Sequence, residues 1–147
     1  MSKYNFNKKF TGVIDKFIVN TEELMLDVVK NSIQDLVEEA TIPVKAGGKM
    51  PVDTAFLRKS GTGAINELPV GETEGRRRMP GEVGELYESN PSEDVKSILA
   101  KLKLGDTFYY GWTARYAIYQ EFKHGFLVSA CAKWQNFIDN NIRKLKK

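Results

Sequence analysis

The sequence predicts a single α+β domain: a small antiparallel sheet packed against a long N-terminal helix and a long C-terminal helix, with a long extended loop. Three observations predict it. Apolar residues recur at helical spacing near both ends of the chain, two short stretches between them have strand character, and a glycine- and proline-rich segment separates those stretches. The chain has 147 residues, 41% hydrophobic and 28% charged, which suffices for one core and is too apolar for a disordered chain. No internal repeat or change of composition marks a second domain, so residues 1–147 are read as one unit.

The first element rests on Phe6, Phe10, Val13, Ile14 and Phe17, then Leu24, Val28, Val29, Ile33, Leu36, Val37 and Ala40, which follow an amphipathic helical stripe. One helix, or two with a bend near Asn20, both fit. Thr21 suits a second helix start, and the reading favoured is a helix from Thr21 to Ala40. Lys45 to Pro51 is a glycine-rich connector, expected to be a flexible loop. A short helix follows over Val52 to Lys59, opened by Asp53 or Thr54, and Gly61 to Leu68 reads as a strand.

Pro69 to Pro91 holds Arg76, Arg77 and Arg78 but few large apolar residues, so a long unanchored excursion is expected there. Pro91-Ser92-Glu93-Asp94 opens a helix with Ser92 as its cap, carrying Val95, Ile98, Leu99 and Leu102 on one face and ending near Gly105. The aromatic run from Asp106 to Trp112 suits a strand. Thr113 caps a short helix from Ala114 to Phe122, Gly125 breaks it, and Phe126 to Lys144 forms the long C-terminal helix.

Several function classes fall away at this stage. No apolar run approaches the roughly 20 residues that cross a bilayer, and the N-terminus has no secretory h-region, so a cytoplasmic site of synthesis is expected. One cysteine, Cys131, and one histidine, His124, cannot build a zinc cage or an internal disulfide. Cys131 lies on an apolar helical stripe and reads as a small buried hydrophobe, while His124 reads as a surface residue at a helix end. Neither has a recognisable catalytic partner, so no catalytic residue, metal or cofactor is assigned. Gly61-Thr62-Gly63 and Ala46-Gly47-Gly48-Lys49 lack the spacing of dinucleotide and phosphate loops. The carboxylates Glu82, Glu85, Glu88, Glu93 and Asp94 read as a solvated acidic stretch.

A net charge of +3 does not announce a nucleic-acid binder by itself. The distribution is more informative. Arg76, Arg77 and Arg78, with Arg143, Lys144, Lys146 and Lys147 at the tail, are the candidate contacts to DNA or to a partner. The aromatic group Phe108, Tyr109, Tyr110, Trp112, Tyr116 and Tyr119 reads as core or interface before it reads as a base-stacking platform.

Met50-Pro51-Val52-Asp53-Thr54-Ala55-Phe56-Leu57-Arg58-Lys59-Ser60 resembles the "P-V-D-T-G-x-L-R-x-S" segment of the head–tail joining, or tail completion, proteins of long-tailed bacteriophages and prophages. Ala55 stands where that family usually has glycine. Leu104 to Tyr110 and Ala114 to Phe122 are similar to the family's strand and its "P-Y-A-x-x-x-E-Y-G" helix, with Arg115 in place of proline and Lys123-His124 before the glycine. Gly125-Phe126-Leu127-Val128 resembles the entry to the family's long C-terminal helix. The resemblance implies a non-enzymatic virion protein, made in the host bacterial cytoplasm. Such a protein forms a sixfold or twelvefold ring with itself and meets other neck and tail proteins around the DNA channel. A tail terminator ring capping the tail tube is the close variant, and a small DNA-binding protein is the alternative of a different class.

Overall fold

The structure, a computed structural model, describes residues 3–145, with side chains from Thr11 onward. The side chains of Phe6 and Phe10 and the tail residues Lys146 and Lys147 lie outside the described residues. The architecture is α+β, with six α-helices and a two-stranded antiparallel sheet.

Helix α1 runs without interruption over Lys3–Ala40, 38 residues. There is no second start at Thr21, because its hydroxyl donates to Phe17 O at 2.8 Å inside the helix. The C-terminal half of α1 is packed on two sides. Leu26, Ile33 and Val37 meet Val95, Leu99 and Leu102, together with Ile65, Phe108 and Tyr110 of the sheet. On another side lies α6 (Trp134–Leu145), where the buried Asn141 donates to Ser32 Oγ at 3.0 Å and Asp35 Oδ2 at 2.9 Å. Past Thr41, Pro43 cannot continue the helix.

The connector after α1 is closed, not open. Met50 N donates to Ile42 O, Val44 N donates to Met50 O, and a 3₁₀ turn over Val44–Ala46 lies between, which leaves Met50 fully buried. Helix α2 (Phe56–Lys59) starts later than expected. Ala55 occupies the cap position with left-handed backbone, φ 70°, while the Thr54 hydroxyl just before it accepts from Phe56 N at 3.3 Å and Asp53 makes no cap bond. Strand β1 (Gly61–Ile65) pairs antiparallel with β2 (Phe108–Trp112), Gly61 opposite Trp112 and Ile65 opposite Phe108. The strand ends before Leu68 because Asn66 turns the chain at φ 62° and exchanges hydrogen bonds with Thr107.

Helix α3 (Pro91–Leu99) is capped by Asn90, whose side chain accepts from Glu93 N, and not by Ser92. The Ser92 hydroxyl is used across the structure instead, donating to Glu38 Oε1 of α1 at 2.6 Å. Thr113 likewise caps nothing: its hydroxyl donates to Glu72 O, and α4 begins later, as Ala117–His124. Gly125, at φ 61°, makes the expected break. The C-terminal helical segment is in two pieces, α5 (Phe126–Cys131) and α6, joined by a tight turn in which Lys133 N donates to Ala130 O. Met50, Phe56, Leu57, Ala114 and Phe126 form a second core cluster, with Trp112 packed edge-on to Phe126 at 5.0 Å.

Candidate assembly surfaces

The Pro69–Pro91 segment contains no helix or strand before α3, as expected, but it is anchored along its length. Tyr87 packs on Phe56 at 5.4 Å, with the Lys59 ammonium 4.7 Å from its ring centre. Leu86 N and Tyr87 N both donate to Thr54 O, Arg115 N donates to Thr73 O, and Arg76 N donates to the Tyr87 hydroxyl. Contact is close enough at Gly75 that a Cβ there would fall 2.7 Å from the Tyr87 hydroxyl and 2.8 Å from Phe56 Cγ. The sequence suggested no anchor because the fastening groups are backbone amides and one tyrosine, which leave no apolar period.

Two of the three consecutive arginines fasten this same loop. Arg76 forms a two-bond fork to Glu82 at 2.8 and 2.9 Å, and Met79 N donates to Glu82 as well. The fork holds the Glu82 carboxyl far below the usual range, down to about 2. Arg78 donates to Asp53 at 2.9 Å and to Gly84 O at 2.8 Å. Arg77 alone is exposed with no ion pair among the described residues. Arg143 and Lys144, at the end of α6, line a groove of about 640 Å³ with Asp35, Glu38 and Glu39 of α1. The arginine run and the described end of α6, Arg143 and Lys144, therefore sit among different neighbours.

The larger exposed features are apolar. At 100° per residue, Val13, Ile14, Phe17, Ile18, Leu24 and Met25 fall within an arc of about 140° of α1, and all six are exposed. The same arc further along carries Val28, Ser32, Asp35 and Glu39, where α6 lies against it, with Asn141 on Ser32 and Lys133 paired to Glu39. Among the described residues nothing packs over the arc at residues 13–25, whose six apolar side chains are 41–67% exposed. Ile118, Tyr119, Phe122 and Val128 form a second exposed apolar patch on α4 and α5. The sequence revealed the periodicity of both regions but not that they lack cover.

Groups considered for chemistry are dispersed. His124 is exposed as the last residue of α4, as expected. Cys131 is exposed, contrary to the buried position its stripe suggested, because α5 ends there and the chain turns away. Burial of part of the thiol, with the nearby Glu121 charge, still raises its pKa. Glu121 is committed to the start of α5, accepting from Leu127 N at 2.8 Å and Val128 N at 3.0 Å. Among the described residues no group of three or more His, Cys, Asp or Glu could hold a metal ion, and no helix is long and apolar enough to cross a membrane. No family model, curated protein or solved structure matches the chain.

Proposed function

We propose that this chain is a structural subunit of a tailed-phage neck, one copy of a ring that completes the tail and joins it to the head around the DNA channel. The observation that carries the reading is the exposed arc of α1 at residues 13–25. Six apolar side chains on one arc, with Phe17 at 67% exposure, make a surface that a free-standing monomer has no use for and an assembly subunit requires. The neck, as opposed to another assembly, follows from the resemblance of Met50–Ser60. Left-handed backbone at Ala55 supports that resemblance, because it is the conformation a family glycine at that position would serve.

A small DNA-binding protein is less well supported, since Arg76 and Arg78 spend their charge on Glu82 and Asp53. Arg77, Arg143 and Lys144 remain available to channel DNA as diffuse, non-specific contacts. Electron microscopy of particles made without this gene, beside the intact phage or prophage, tests the reading. Filled heads and separate tails are the expected result. Tails of irregular length would reassign the ring as a terminator, and normal joined particles would overturn the neck role.

A further inference from the structure

We infer that residues 13–25 of α1 dock on a second copy of this chain, seated on that copy's α4–α5 patch of Ile118, Tyr119, Phe122 and Val128. The contact deepens the ring-subunit reading, on which it rests, by naming the two surfaces that join neighbours. Both surfaces are exposed in the subunit, Phe122 at 85%, so neither covers the other within one chain. Helix α1 is continuous and its second half is held by α3, α5 and α6, so the first half cannot fold back to reach its own patch.

Size and charge both favour this pairing. From their fractional exposures each surface offers on the order of 600–700 Å², so a contact that covered both completely would reach the lower end of the range of stable specific interfaces. Acidic Glu22 and Asp27 flank the α1 arc, one on each side and about 40° beyond its edge. Lys123 lies beside Phe122, and Lys49 reaches the other side of the patch by donating to Ser129 Oγ at 2.8 Å. An α1–α1 contact would set the acidic flanks against each other, whereas the α4–α5 patch offers them the Lys123 and Lys49 ammonium groups, its one nearby carboxylate, Glu121, being held by Leu127 N and Val128 N. Two different surfaces in one contact make it heterologous, and a repeated heterologous contact closes into a ring when its rotation allows.

Light scattering on the full chain, with Phe17→Glu and Phe122→Glu variants, tests the contact. The parent is expected to associate, and each variant alone to fall to the mass of one subunit with an unchanged far-UV circular dichroism spectrum, because both side chains are exposed. Mixed one to one, the variants should form a dimer of one copy of each. The Phe122→Glu copy keeps an intact α1 and the Phe17→Glu copy keeps an intact patch. Should Phe17→Glu lose helical signal, Met25→Lys, at a side chain 58% exposed, replaces it as the arc variant. A Phe122→Glu chain that associates like the parent, a mixture that stays monomeric, or a monomeric parent at its highest soluble concentration would each overturn the contact. Normal particles from the gene deletion, with the association intact, would refute the neck role and leave the contact standing.

Discussion

Replacing Ala55 by glycine should leave the stability of the protein nearly unchanged, although the residue is 3% exposed and its methyl is packed. The comparison that gives this meaning is Ala130→Gly. Ala130 is equally buried, at 0% exposure, but sits in α5 with ordinary helical backbone. At Ala130 the change removes a buried methyl worth about 0.8 kcal/mol and costs about 1 kcal/mol in helix propensity, near 2 kcal/mol together. At Ala55 the same methyl is lost and the unfolded chain gains freedom worth about 0.7 kcal/mol, but the left-handed conformation releases roughly 1–2 kcal/mol once the Cβ is gone. The left-handed turn is held from outside, by Leu86 N and Tyr87 N, which both donate to the Thr54 carbonyl on the peptide before Ala55. Ala55→Gly is therefore expected within about 0.5 kcal/mol of the parent and roughly 1.5 kcal/mol above Ala130→Gly. In a chain of this size that gap is about 3–6 °C in melting temperature. Urea unfolding followed by tryptophan fluorescence measures it, provided the slopes match. Equal losses in the two variants would refute the strain argument and weaken the likeness of this turn to the phage motif.

Asn141→Ala strips the Asp35 carboxylate, Ser32 Oγ and Phe137 O of a 3% exposed donor, so a loss of about 2–3 kcal/mol is expected by calorimetry, and less than about 1 kcal/mol would show that water replaces the amide. The folded-state pKa of Glu82, about 2, lies below its ordinary value of 4.5, so the fork contribution is complete above pH 4.5 and is lost as pH falls toward 2. Carboxyl NMR should place the Glu82 midpoint near 2 in the parent and return it toward 4.5 in Arg76→Ala; an unmoved midpoint would sink the assignment. Cys131, exposed but with its pKa raised by partial burial and Glu121, should be alkylated at neutral pH more slowly than a free thiol, and Glu121→Gln should speed it; a faster parent rate would contradict the direction.

The helices were largely legible because their signals are periodic, and the misplacements have local causes. Ser92, Thr113 and Thr21 all look like caps in sequence, yet each hydroxyl finds another acceptor: Glu38 of α1, the Glu72 carbonyl and the Phe17 carbonyl. A cap signal reports that a short polar side chain is available, not which partner the tertiary structure brings to it. The break in the C-terminal helix at residues 132–133 left no glycine or proline to mark it. Strand β1 ended early through an Asn66 turn that pairs with Thr107, a contact forty residues away that periodicity cannot register.

The surfaces proposed for assembly were illegible for a different reason. A stripe such as Ile14, Phe17 and Leu24 has the same spacing whether its own chain or another copy covers it. What separates the two cases is the tertiary packing: α6 and the turn before it meet the Val28–Glu39 part of the arc, while residues 13–25 are exposed. The arginine run shows the converse. Three adjacent cations look like an outward-facing site in sequence, but two of them are ion-paired at the surface, Arg76 with Glu82 of its own loop and Arg78 with Asp53. A charge cluster is thus largely paired within the chain while an ordinary helical stripe is left exposed, and exposure in the folded chain, not residue type, decides which of the two a partner could meet.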